Sequence, residues 1–267
     1  TQFLEQFESL FEDNNAQASA LKNLPTAYDY IRLGHPLSSV FEWIIAKRHQ
    51  LNAEQVISFS SRTMPVLAVL RKNLADEKNT RIVYSGALPS VFDADVVRRV
   101  YGYSFELQQV DKVEEVSAFE GSTVFISPHD EIGHYALHPN IDFFVGVHGH
   151  LGSVVLVNGE QNEHDISEIQ HVRRRETIAM TPANCHAALR ALVEGSAADP
   201  ENRQAVETNK ARVSASIKEI TGTNSKALVG SSGLSVQYAI MMGLIQYAQE
   251  THEGKAIKFI VPPNCYG

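Results

Sequence analysis

The chain is short of cysteine, of basic charge and of long apolar runs, and each shortage removes a class of protein. Two cysteines in 267 residues, Cys185 and Cys265, give no disulfide framework. A disulfide-stapled secreted fold is therefore excluded, and a reducing cytoplasm is the expected setting. Lys and Arg number 23 against 31 Asp and Glu, leaving a formal charge of -8. That balance argues against a general binder of nucleic acid or acidic membrane. No apolar run approaches the roughly 20 residues needed to cross a bilayer, and the acidic start of the chain is not a signal peptide. One gap is local: no lysine occurs between Lys112 and Lys210.

What is present suits a soluble globular protein, with 43% hydrophobic and 20% charged residues and enough chain to bury a substantial core. Phe3, Leu4, Phe7, Leu10 and Phe11 recur at helical spacing, so residues 1–27 are expected to form a helical docking arm. From there strands and helices alternate, which predicts a three-layer α/β/α sandwich with a mostly parallel sheet. Strands are expected near 56–59, 81–84, 105–110, 122–128 and 141–157, with a helix over 113–119. Helices are expected over 40–47, 64–71, 165–180 and 185–193, the last after the turn 181–184, in which Thr181 caps and Pro182 takes the first helical position. Arg173, Arg174 and Arg175 read as a solvated helix face. Residues 195–202 are the expected linker, followed by a helix over 203–220.

Three stretches carry candidate binding residues. Tyr30 and Arg32, two apart in extended chain, point the same way and suit two-point recognition of a phosphate, although a surface Tyr-Arg pair has the same pattern. His35-Pro36 then stops the chain, and Ser38 or Ser39 is expected to cap the next helix. Ser60 and Ser61 form a strand-to-helix turn, where Arg62 either binds an anion or fills its place. The design repeats at 227–247: a strand end at Ala227–Val229, the turn Gly230-Ser231-Ser232-Gly233, then a helix from Leu234 to Gln249. Such a turn is either a helix cap or an anion site made of hydroxyls and free N–H groups. A second apolar run, Lys258–Val261, precedes Asn264-Cys265-Tyr266-Gly267, and the stop inside that turn suggests a fragment or a processed product.

Taken together, these stretches resemble the Cys/Met-metabolism family of pyridoxal-phosphate (PLP) enzymes, to which cystathionine gamma-synthase, cystathionine lyases and methionine gamma-lyase belong. The resemblance rests on Tyr30-x-Arg32-x-x-His35-Pro36-Leu37 with Glu42 beyond it, and on Ser231-Ser232-Gly233-Leu234 followed by Tyr266-Gly267. His35 and Leu37 depart from the family's Asn and Thr. The resemblance implies that Ser231, Ser232, Gly233 and Leu234 take the cofactor phosphate and that Tyr266 stacks on the ring and aids proton transfer. It further implies that Tyr30 and Arg32 reach a phosphate across a dimer. In the first copy Ser60, Ser61 and Arg62 stand at the phosphate turn without the family's glycine. The strand Asp142–Gly149 should lead to the catalytic lysine, but none follows, and the segment for the aspartate beneath the pyridine nitrogen is shortened away. A pseudo-dimer is therefore expected, with a degenerate large domain over 28–194 and an incomplete second unit over 203–267.

Three functions stay open. One is a PLP-dependent lyase or transferase acting on a small amino-acid substrate by β or γ elimination or replacement, as a homo-oligomer or pseudo-dimer. Another is a non-catalytic partner half of such an enzyme. A third is a metal-dependent hydrolase, because His129, Asp130, Glu131, His134, His138, His148 and His150 crowd one stretch. On a strand His148 and His150 would share a face and could ligate zinc or iron.

Overall fold

The computed structural model describes residues 1–90, 92–128, 132–196, 205–230 and 232–264. Six strands form one sheet in the order β1-β6-β5-β4-β2-β3. They are β1 (Val56–Phe59), β2 (Thr80–Ser85), β3 (Glu106–Val110), β4 (Ser122–Pro128), β5 (Phe143–His148) and β6 (Gly152–Val157). β2 pairs in parallel with β3 and β4, and β4 in parallel with β5. β6 is antiparallel to both β5 and β1. β1 therefore runs with β5, and β6 alone is reversed. The central strands read as unbroken apolar runs because both faces are covered, and β5 and β6 are buried along their whole length.

Helices cover both faces. On one side, α4 (Met64–Ala75), α5 (Ala94–Tyr101) and α6 (Ile166–Glu176) pack Leu67, Leu70, Val97, Ile169 and Val172 onto Ile57, Ile82, Val124 and Val145. On the other, α3 (Pro36–His49) and α7 (Pro182–Glu194) pack Phe41, Ile45, Cys185 and Ala188 onto Val56, Val83, Phe144 and Leu156. Successive strand residues feed opposite clusters, as the two-residue period requires. The fold is the expected α/β sandwich. Ahead of it, α1 (Gln2–Glu12) lies against α3, with Phe7 and Phe11 edge-on to Trp43 at 5.6 and 5.2 Å between ring centres. A short α2 (Ala18–Lys22) follows. Among the described residues no helix is long and apolar enough to cross a membrane.

Several local expectations are corrected. The cap of α3 is His35, not a serine: its Nδ1 accepts the Ser38 N–H at 3.2 Å, and Ser38 Oγ accepts the His35 N–H at 2.9 Å. Residues 113–119 hold only the 3-10 turn Val113–Glu115, because Lys112 leads into it in extended geometry and no further helical turn follows. Residues 141–157 are not one strand but a β5–β6 hairpin. Gly152 makes the hairpin possible: its φ is +127°, and a Cβ there would stand 2.1 Å from the Phe59 carbonyl oxygen, a place no other residue fits. α5, which the periodicity left unassigned, starts on the Asp93 side chain and ends on a left-handed Gly102.

The repeat is realised only in its helices. α8 (Ala205–Thr221) and α9 (Gly233–Thr251) form, but Ala227–Val229 and Lys258–Val261 are not strands. Leu228, Val229, Phe259 and Ile260 are all exposed. An apolar run becomes a strand only where a neighbouring strand supplies its hydrogen bonds, and these two runs lie outside the sheet. α9 meets the body through Tyr238, whose ring centre is 5.8 Å from that of Tyr101 and 5.5 Å from the Arg71 guanidinium. Residues 197–202 of the expected linker lie outside the described residues.

Candidate functional site

In an open α/β sheet, ligands meet the carboxyl ends of the strands, where loops and helix N-termini converge. Here that edge gathers Ser60 after β1, Gly86 after β2, Pro128 of β4 and His148 of β5. Residues 177–180, between α6 and α7, run along it. Ser60 N–H donates to the Ile178 carbonyl at 3.1 Å, and Ala179 N–H donates to the Arg32 carbonyl at 3.0 Å. His35 Nε2 lies 2.8 Å from the Met180 carbonyl. Two distant stretches singled out by motif, Tyr30–His35 and Ser60–Arg62, are thus strapped to one loop within the same unit.

Tyr30 and Arg32 are not in extended chain. A turn closes at Leu33, whose N–H donates to the Tyr30 carbonyl at 2.9 Å, because the chain must reverse before α3. The turn nonetheless brings the side chains together, with the Arg32 guanidinium 5.4 Å from the Tyr30 ring centre. The Arg174 guanidinium stands 5.7 Å from the same ring, and Arg32 Nη1 donates to the Arg174 carbonyl at 3.5 Å. Neither guanidinium has a carboxylate partner among the described residues. Guanidiniums without a carboxylate partner are the groups that pair with phosphate or carboxylate.

The Ser60-Ser61-Arg62 turn satisfies itself. Ser61 Oγ accepts the N–H groups of Thr63 and Met64 at 3.3 and 3.1 Å, and Pro65 brings no N–H. Ser60 Oγ bonds the Ile178 carbonyl, and Arg62 Nη1 donates to the Gly149 carbonyl at 2.9 Å. The α4 N-terminus therefore has little left for an anion, and Arg62 pins the β5–β6 turn.

The basic run also divides. Arg173 is buried, not solvated: its Nη1 donates to Glu42 Oε1 at 2.6 Å and to the Ser58 carbonyl at 3.2 Å. Glu42 Oε1 in addition accepts Ser58 N–H at 2.8 Å and Ser58 Oγ–H at 2.6 Å. Burial, with the Glu42 charge next, raises the Tyr28 phenol. Arg174, expected as part of a solvated helix face, instead stands over the Tyr30 ring. No local signal separates it from Arg173; one position apart on the helix, the two turn to different faces.

His148 and His150 do not share a strand face. His148 is buried, with Nε2 2.9 Å from the Tyr135 hydroxyl, whereas His150 lies exposed in the hairpin turn. The turn breaks the two-residue period that the pairing needed. His129, Asp130 and Glu131 lie outside the described residues. In the second unit Ser232 caps α9, its Oγ accepting Ser235 N–H at 3.1 Å, while Gly233 is the first helical residue and Leu234 is exposed. Ser231 and Tyr266 lie outside the described residues.

A PLP site needs a phosphate grip and a lysine. The Tyr30–Arg32–Arg174 cluster suits the first need. No lysine occurs over 113–209, the Ser61 turn is already bonded to its own helix, and Lys112 follows β3 at the opposite end of the sheet from β1, so the residues around this cluster do not fit the reacting end of the cofactor.

The fold defines an α/β protein with a mixed six-stranded sheet and its ligand edge at the strand carboxyl ends. No protein-family model matches the chain, and no curated protein matches it. Among solved structures it is similar to metB from Corynebacterium glutamicum, with 14% identity, a TM-score of 0.41 and coverage of 64% of this chain and 55% of that one. It is also similar to an amino transferase from Eubacterium rectale (9% identity, 79% of this chain, 68% of that chain, TM-score 0.36). A third is the aminotransferase TlmJ from Streptoalloteichus hindustanus (11% identity, 88% and 74%, TM-score 0.34). The chain spans little more than half the length of metB.

Proposed function

We propose that this chain belongs to a PLP-dependent lyase or transferase of sulfur amino-acid metabolism, in which residues 28–194 are a half-site that grips phosphate and does not itself react. The observation that carries the reading is the pair of unpaired guanidiniums, Arg32 and Arg174, over the Tyr30 ring at the sheet's ligand edge. A phosphate monoester is dianionic and planar guanidiniums bind it in a forked geometry, so this arrangement suits a cofactor phosphate better than a neutral ligand. When bound, PLP supplies an electron sink for bond cleavage beside the amino group of an amino-acid substrate. No chemical step is assigned to the first unit, whose lysine at that edge, Lys112, follows β3 at the opposite end of the sheet from β1. The Ser231–Leu234 turn and Tyr266 are the residues that the resemblance assigns to the second unit, in a homo-oligomer or pseudo-dimer.

The test is a PLP titration of the chain followed by borohydride reduction and peptide mapping. Saturable binding is expected, weakened roughly tenfold or more in Arg32→Ala and in Arg174→Ala, as loss of a charge-assisted contact implies. No lysine adduct is expected. Binding unchanged in both variants, or no binding at all, would overturn the reading. A mapped lysine adduct would overturn its non-reacting half and make the chain an enzyme in its own right.

A further inference from the structure

Asp76, His164 and Asp165 converge at the edge of the sheet opposite the ligand edge. α4 returns the chain from the end of β1 to the start of β2, and Asp76 follows its last turn. His164 and Asp165 end the 3-10 turn Glu160–Asp165, which leads directly into α6. One carboxylate or imidazole atom from each residue lies within 4.8 Å of the others.

The Asp165 carboxylate is the telling member. Its side chain is only 3% exposed, and its Oδ1 is buried with no hydrogen-bond partner. Two groups stand near that oxygen as ion-pair partners, Lys72 Nζ at 3.3 Å and His164 Nε2 at 3.2 Å. A buried carboxylate oxygen so placed depends on a nearby cation to offset its desolvation, a charge that Lys72 supplies here at 3.3 Å. Lys72 also pairs with Asp76, so the cluster already holds positive charge at its centre.

We propose that Asp76, His164 and Asp165 bind a divalent ion of the zinc type, in competition with the Lys72 ammonium. Two carboxylate oxygens and one imidazole nitrogen form a donor set that zinc accepts at about 2.0–2.2 Å, with water completing four-coordination. His164, with its side chain 62% exposed, is free to swing inward. Lys72 has a long unbranched stem that withdraws to solvent without disturbing the helix. A doubly charged ion gains more than an ammonium from two carboxylates, one of them desolvated. The ion would clamp the end of α4 to the start of α6, remote from the phosphate cluster, and is therefore structural rather than catalytic.

The test uses chelator-stripped protein titrated with zinc chloride by calorimetry and with cobalt(II) by visible absorbance. Expected are one zinc per chain, the absorbance of a four-coordinate cobalt ion, and a Tm raised by zinc and restored by EDTA. Lys72→Met should bind roughly tenfold tighter, because a competing positive charge is gone. His164→Ala, a change at an exposed side chain that leaves the core intact, should weaken binding at least tenfold. Absence of saturable binding in both wild type and Lys72→Met would overturn the proposal. So would stoichiometric binding that His164→Ala leaves unchanged, since the ion would then sit elsewhere.

Discussion

Glu42 of α3 and Arg173 of α6 form an ion pair inside the protein, 2.6 Å apart and almost fully shielded from solvent. The pair joins helices on opposite faces of the sheet through the edge strand β1, because Glu42 Oε1 also holds the amide and hydroxyl of Ser58. Removing either partner leaves a charge buried and uncompensated. Glu42→Gln or Arg173→Met should each cost about 3–5 kcal/mol in urea unfolding. The double variant Glu42→Leu/Arg173→Met should cost less than the sum of the two single truncations, which a double-mutant cycle would read directly.

His35 caps α3 with a ring nitrogen in the place where the resembled motif has Asn. Asn is itself a preferred N-cap, so His35→Asn should keep the cap and lose only the bond from Nε2 to the Met180 carbonyl, about 1 kcal/mol. His35→Ala should lose about 1 kcal/mol more for the cap, on top of the same lost bond to the Met180 carbonyl, which then keeps only the weak Cys185 thiol donor at 3.4 Å. Equal losses in both variants would show that the ring fills space and does not cap.

Cys185 lies in the core beside Met180, and burial raises its thiol well above the ordinary range, with the Glu42 charge adding to the rise. The thiolate is the reactive form. Under native conditions at mildly alkaline pH the peptide carrying Cys185 should remain unalkylated by iodoacetamide, and it should label fully in denaturant. Rapid native labelling, read by mass spectrometry, would contradict the packing of α7 on the sheet.

Burial lowers the His49 imidazole below its ordinary value of 6.5, with Arg48 and His134 adding repulsion and the Gly133 carbonyl opposing. A group whose folded value is depressed binds fewer protons folded than unfolded. Its contribution to stability is therefore present above about 6.5 and is lost as pH falls through the folded value. Stability should decline as pH falls below about 6.5, and His49→Gln should flatten that part of the curve. An identical slope in the variant would assign the decline to other groups.

α9 is held to the body by Tyr238 against Tyr101 and Arg71, and Arg71 is itself anchored to Glu176, with 2.8 Å between Nη2 and Oε2. Tyr238→Ala should free the helix and speed hydrogen exchange across 233–251 while exchange in β4 and β5 stays slow. Unchanged exchange in α9 would mean that other contacts hold it.

The layered α/β class was legible because it depends on local periodicity. Val, Ile and Phe runs bounded by turns mark strands wherever they fall, and the amphipathic stretches of α4, α6 and α7 mark helices. The Ser60-Ser61 turn, the helix after Ser232 and the Thr181 cap are local as well, written in a few adjacent residues. What the sequence could not decide was pairing. Whether 141–157 is one strand or a hairpin rests on the close approach of Gly152 to the Phe59 carbonyl, a contact 93 positions away in sequence. Whether Arg173 is solvated or buried rests on Glu42, which only the docking of α3 and α6 around β1 brings within reach. The same holds for Tyr30, Arg32 and Arg174, and for Lys258–Val261, whose composition suits a strand although no strand stands beside it. Hydrogen bonds and charge pairs between distant residues are satisfied only in three dimensions, and those satisfactions separate this chain's phosphate-type cluster from its self-capped serine turn.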